Sequence, residues 1–122
     1  MHNRLLLVDD EADILTLMKR GLEMAGYQVE AFIDPKEALS HFQKDHYDLV
    51  LLDIRMPGMN GFQLLREIVK LDDKPKLCFM TAFDIYLDEA KKLFPTLKID
   101  LFLKKPMRIK ELANAVHEAL NR

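Results

Sequence analysis

Several absences narrow what this chain can be. No apolar run approaches the roughly 20 residues needed to cross a bilayer, so no membrane-spanning helix is predicted. One cysteine, Cys78, closes no internal disulfide; inside an apolar strand-like segment it reads as a buried thiol. The net charge is only −2, which predicts neither nucleic-acid binding nor attraction to an anionic membrane surface. The start, Met1-His2-Asn3-Arg4, leads straight into apolar residues without a cleavage-site pattern, so no signal peptide is expected. There is no glycine-rich phosphate loop and no Ser/His/Asp order of a hydrolase. His2, His41, His46 and His117 are scattered without ligand spacing. His41 and His46 flank the end of a predicted helix, whose negative end is reason enough for them. A cytoplasmic protein fits these absences.

What remains is ordinary globular material, 49% hydrophobic and 31% charged over 122 residues. No repeat, linker or low-complexity tract interrupts it, so residues 1–122 are read as one domain. Short apolar runs alternate with helical patterns. Strands are predicted over Arg4–Val8, Tyr27–Ile33, Tyr47–Leu52, Lys76–Met80 and Ile99–Leu103. Between them, Ile14, Leu17, Met18, Gly21, Leu22 and Ala25 form one helical stripe, with Gly26 as its stop. Asp34-Pro35-Lys36-Glu37 opens a second helix with a capping Asp, Pro at its first position and Glu three residues after the cap; Ala38, Leu39 and Phe42 are its inner face. Leu64, Leu65, Ile68 and Val69, with Leu71 as a further candidate, mark a third helix that runs out at Asp72-Asp73-Lys74-Pro75. Ala90, Leu93 and Phe94 suggest a fourth, stopped by Pro95. Ile109, Leu112, Ala113, Val116 and Leu120 give a fifth. Five strands alternating with five helices require parallel pairing through right-handed crossovers, hence a three-layer doubly wound α/β sheet.

In such a sheet the carboxyl ends of the strands share one rim, and ligands bind there. Asp9 and Asp10 follow the first strand, Asp53 the third, Thr81 the fourth and Lys105 the fifth. Three carboxylates brought together repel, and burial alone would raise their pKa values. A hard divalent cation relieves both. Oxygen ligands with room for water suit Mg²⁺, with Mn²⁺ as the alternative. A cation, an ammonium and a hydroxyl together match the oxygens of a phosphoryl group in transfer. Asp53 is then a nucleophile able to carry an acyl phosphate. Each residue has a plainer role by itself: Asp9-Asp10-Glu11 as a cap for the first helix, Asp53 as the cap of a turn, Thr81 as a strand-end hydroxyl, Lys105 as a solvated lysine. All four plain roles at one rim would be a coincidence.

The motifs Val8-Asp9-Asp10-Glu11, Asp53-Ile54-Arg55-Met56-Pro57-Gly58-Met59-Asn60-Gly61, Thr81-Ala82 and Phe102-Leu103-Lys104-Lys105-Pro106 resemble the receiver domain of two-component response regulators, as in single-domain chemotaxis regulators. The resemblance implies a flavodoxin-like sheet of order 2-1-3-4-5 and a phosphoacceptor switch charged by a sensor histidine kinase or phosphotransfer protein. It implies Asp53 as phosphoacceptor, with Asp10, Asp53 and the backbone carbonyl of Arg55 on Mg²⁺ and Asp9 acting through a water. Thr81 would turn to the phosphoryl group, Lys105 would pair with it, and Phe102 would be the switch aromatic. Taken alone, Phe102 reads as core packing. Lys105 rather than Lys104 is chosen because side chains alternate along a strand and the family places its lysine directly before proline. The Lys105-Pro106 bond resembles the family's cis peptide.

Output would run through the fourth helix, fifth strand and last helix to an unidentified protein target, as a monomer or a phosphorylation-dependent dimer. Two departures bear on that face. Leu97-Lys98-Ile99-Asp100 stands where the family often has Gly-Ala-Asp, and the segment Phe83–Phe94 lacks a clear cap. Arg55 and Phe83 flank the expected phosphoryl site, where a long cation and a bulky ring would hinder attacking water. Two other classes compete. A phosphohydrolase with an aspartyl-phosphate intermediate usually needs an acid two residues after the nucleophile, but Arg55 stands there and a cap insertion is missing. A phosphorylation-independent interaction module would bind partners equally well as wild type and as Asp53→Asn. The expected protein turns over no separate metabolite and is not an enzyme.

Overall fold

In a computed structural model of the chain, the structure describes residues 3–82, 88, 91, 92, 95 and 98–122. Five short strands form one sheet: β1 (Arg4–Val8), β2 (Gln28–Phe32), β3 (Leu49–Asp53), β4 (Lys76–Thr81) and β5 (Leu101–Lys104). All pair in parallel, in the order β2-β1-β3-β4-β5. Helices α1 (Ala12–Met24), α2 (Pro35–His41), α3 (Gly61–Leu71) and α4 (Ile109–Leu120) have full bounds among the described residues. The α/β sheet of order 2-1-3-4-5 is the one expected. Of the segment expected to form a further helix, Asp88, Lys91 and Lys92 are helical. Its expected apolar face, Ala90, Leu93 and Phe94, lies outside the described residues.

The runs of consecutive apolar residues make sense once both sheet faces are covered, since neighbouring side chains point opposite ways. Leu6, Val8, Val50, Leu52, Leu77 and Phe79 pack in one layer with Ala38 of α2 and with Phe62, Leu65 and Ile68 of α3. Leu5, Leu7, Leu49, Leu51, Cys78 and Met80 pack in the other with Leu15, Met18 and Leu22 of α1 and with Leu112, Val116 and Ala119 of α4. Burial pushes the Cys78 thiol far above its usual range, which leaves it inert at neutral pH.

Three local expectations change. The inner stripe of α1 is Leu15, Met18 and Leu22, whereas Ile14 is 36% and Leu17 56% exposed. Apolar residues occupy two adjacent rows of this helix, and packing against the sheet and α4 selects one of them. Helix α3 begins at Gly61, earlier than its apolar residues suggest. Asn60 accepts from Gln63 N at 2.8 Å while the Gln63 side chain accepts from Asn60 N at 2.9 Å, a reciprocal cap. His46 serves no helix end; its Nε2 lies 2.9 Å from Glu30 Oε2. By contrast, Asp34 caps α2 by accepting from Lys36 N, with Pro35 at the first turn.

The strand order sets the site. β1 lies between β2 and β3; the chain leaves β1 for α1 on one face of the sheet and leaves β3 for α3 on the other. That reversal opens a crevice beyond the carboxyl ends of β1 and β3. Asp9 follows β1 and Asp53 ends β3.

Candidate functional site

Asp53 is the last residue of β3, in register with Met80 of β4. Its position is fixed by the sharp turn after it. Gly61 N donates to Ile54 O at 2.8 Å, folding the loop back so that α3 starts directly against the strand end. The approach is so close that a Cβ at Gly61 would overlap the Asp53 carbonyl oxygen and stand 2.9 Å from Ile54 Cα. Gly58 in the same loop has a φ of +82°, in the region glycine favours.

Asp9 is fully buried and uses Oδ1 to accept from Glu11 N at 2.9 Å. This local turn points its other oxygen inward. Asp10 is exposed, and Asp53 is buried. One carboxylate oxygen from each of Asp9, Asp10 and Asp53 lies within 4.8 Å of the others. Lys105 reaches this cluster from the β5–α4 loop with a side chain only 10% exposed; its Nζ stands 2.6 Å from Asp9 Oδ2, 3.0 Å from Glu11 Oε1 and 3.5 Å from Asp53 Oδ2. Lys104, by contrast, is exposed on β5, in register with Thr81. The Lys105-Pro106 peptide is cis. Thr81 is 2% exposed at the end of β4. A cavity of about 190 Å³ is lined by Asp10, Glu11, Asp53, Arg55, Thr81, Ala82 and Lys105. Phe102 sits farther down β5, half-buried, its ring centroid 6.0 Å from that of Phe79. Phe83 lies outside the described residues.

The charges are out of balance. Burial pushes the Asp53 carboxyl up to about 7, the Asp9 and Asp10 carboxylates push the same way, and Lys105 opposes them. Burial works against the Lys105 ammonium too, but its carboxylate neighbours outweigh that and raise its pKa. Asp9 Oδ2 is buried with the ammonium close by, yet no aligned hydrogen bond reaches it. A buried carboxylate oxygen in that condition, with two more carboxylates beside it, is a fit for a hard divalent cation.

Sequence reasoning brought together Asp9, Asp10, Asp53 and Lys105 at one rim, with Thr81 lining the same cavity. It missed two residues. Glu11 appeared only as a helix cap, because nothing in the sequence ties it to a lysine 94 positions away. Gly61 carried a signal, a glycine at the first turn of a helix after a loop, but its contact with Asp53 is visible only in three dimensions.

Fold and site together define a doubly wound α/β domain with an acidic crevice at the carboxyl ends of its strands that fits a divalent cation. Comparison with known proteins agrees. The response regulator receiver domain family matches residues 5–117. The regulatory protein VanRB of Enterococcus faecalis is 36% identical over 122 residues, covering 100% of this chain and 54% of that protein. The transcriptional regulatory protein TrcR of Mycobacterium tuberculosis is 34% identical over 119 residues, covering 98% and 46%. The chain thus spans about half the length of these relatives. A CheY-like receiver domain of Methanospirillum hungatei superposes with a TM-score of 0.87 at 30% identity, covering 99% of this chain and 95% of that one. The response regulator TrrA of Thermotoga maritima, solved in complex with Mg²⁺-BeF, superposes with a TM-score of 0.81 at 32% identity, covering 96% and 98%. This chain belongs to the response regulator receiver domain family. It is a phosphoacceptor switch of two-component signalling.

Proposed function

We propose that Asp53 is the phosphoacceptor and that residues 1–122 act as one receiver domain. The observation that carries this is the meeting of the Asp9, Asp10 and Asp53 carboxylates within 4.8 Å, with Lys105 Nζ 3.5 Å from Asp53. Asp10, Asp53 and the backbone carbonyl of Arg55 would hold Mg²⁺ or Mn²⁺, with Asp9 acting through a water. When bound, the cation supplies positive charge that offsets the carboxylates and the incoming phosphoryl oxygens. Asp53, relieved of its proton, attacks the phosphorus of a phosphohistidine on a sensor histidine kinase or phosphotransfer protein. One Oδ–P bond forms as the nitrogen–phosphorus bond breaks, and the nitrogen leaves with the electron pair. Lys105 pairs with the phosphoryl oxygens, and the Thr81 hydroxyl turns to donate to them.

Withdrawal of Thr81 leaves room for Phe102 to move inward from its place against Phe79. The output would be a shift in population at the face made by the segment before β5, by β5 and by α4, read by a downstream protein. The chain acts as a cytoplasmic switch that turns over no separate metabolite, as a monomer or as a dimer formed on phosphorylation.

The test is intact mass after treatment with a small phosphodonor. Wild type should gain one phosphoryl group with Mg²⁺ and none with a chelator, and Asp53→Ala should gain none under either condition. Phosphorylation of Asp53→Ala to the wild-type extent would refute the assignment.

A further inference from the structure

Glu11 occupies the N-cap position of α1, where short side chains that reach back to the first-turn amides are favoured. Its side chain makes no such bond. The turn there is made by Asp9, whose Oδ1 accepts from Glu11 N. The Glu11 carboxylate instead crosses to the β5–α4 loop, where Lys105 Nζ donates to Oε1 at 3.0 Å. Lys105 therefore divides one positive charge among three carboxylates, at 2.6 Å from Asp9, 3.0 Å from Glu11 and 3.5 Å from Asp53. Asp53, the group the lysine has to serve, holds it least closely.

We infer that Glu11 is a positioning residue for Lys105, a tether that seats the ammonium beside Asp9 and must be given up for it to turn to a phosphoryl group on Asp53. The inference rests on the reading of Asp53 as phosphoacceptor. The two other arms differ in kind. The Asp9 contact is buried on both sides, whereas the Glu11 side chain is 54% exposed, so water and salt weaken its hold. The Glu11 arm is the one that yields. A contact made only before phosphorylation opposes phosphorylation, and its loss should favour the charged state. Glu11 therefore sets a threshold on the switch without touching the phosphoryl group.

Three variants separate reach from charge. Glu11→Ser removes both and places a favoured residue at the N-cap, so the fold is kept. Glu11→Asp keeps the charge but is one methylene too short for Lys105. Glu11→Gln keeps the reach and loses the charge. The probe is beryllofluoride with Mg²⁺, titrated by calorimetry. Glu11→Ser and Glu11→Asp should both bind it about fivefold more tightly than wild type, with Glu11→Gln between. In metal-free protein, the ammonium protons of Lys105 should be shielded from solvent exchange in wild type and exchange faster in Glu11→Asp, as read by NMR. If Glu11→Ser binds beryllofluoride no more tightly than wild type, the tether is refuted. It is equally refuted if Glu11→Asp matches wild type in both readouts, since the effect would then be one of charge alone. If wild type binds no beryllofluoride, or binds it as well after Asp53→Asn, the phosphoacceptor reading fails, and this inference with it.

Discussion

Asp53→Asn is expected to stabilise the metal-free protein, by about 2–4 kcal/mol at pH 8, although it removes the proposed phosphoacceptor. The carboxyl is raised in the folded state from 3.8 to about 7, with burial as the first cause. Each pKa unit corresponds to about 1.4 kcal/mol between the two protonation states. The folded form therefore binds a proton between about pH 4 and pH 7 that the unfolded chain does not hold. Stability contributed by this group rises as pH falls through 7 and is complete near 4; above 7 the ionised carboxylate weakens the fold. Asparagine is never ionised, so its advantage should be large at pH 8 and shrink toward pH 4. Thermal unfolding in chelator at the two pH values reads this directly. A gain on the order of 10 °C at pH 8 is expected. Millimolar Mg²⁺ should stabilise wild type at pH 8 and do little for Asp53→Asn, because a ligand stabilises only the form that binds it. Wild type more stable than Asp53→Asn at pH 8 without metal would mean that Lys105 already neutralises the cluster.

Gly61→Ala should destabilise the protein by about 2–3 kcal/mol, the upper part of the range for overpacking, because the atoms it meets have nowhere to go. Intrinsic propensity argues the other way, since alanine is favoured over glycine in a helix by roughly 1 kcal/mol. Contact decides the sign here. The new methyl would overlap the Asp53 carbonyl oxygen and crowd the Ile54 backbone, and neither can rotate aside as a side chain would. Relief requires α3 to withdraw from the end of β3, or the strand end with Asp53 to shift away from α3. Urea denaturation should show a lower midpoint with an unchanged slope, and the rate of phosphorylation should fall with it. Gly61→Ala as stable as wild type would show that the loop from Ile54 to Asn60 gives way at little cost.

Much of this arrangement can be read from one sequence, for a definite reason. Strands buried on both faces are written as unbroken apolar runs such as Leu49-Val50-Leu51-Leu52, and a run that ends in Asp53 or Asp9-Asp10 marks the rim where backbone leaves the core. Parallel pairing then brings those ends together without further information. What resists reading depends on distance in space. Leu15 and Ile14 are both apolar neighbours on α1, and only the seat against the sheet and α4 decides that Leu15 is buried. His46 finds Glu30 on another element, so its spacing carried no clue. Strand ends shift by a residue or two, because the ladder of hydrogen bonds, not the apolar pattern, decides where pairing stops; β5 begins at Leu101 rather than Ile99. Glu11 reads from sequence as part of a local helix cap, and that concealed its contact with Lys105.

Reduction of the phosphorylated protein with borohydride is the most direct measurement. Hydride converts an aspartyl phosphate to homoserine with release of phosphate, so it marks the very carboxyl that carried the group. Peptide mass spectrometry after treatment with phosphodonor and Mg²⁺ should find homoserine in place of Asp53, and only when Mg²⁺ was present. Homoserine at Asp9 or Asp10, or at Asp53 to the same extent in chelator, would contradict the account.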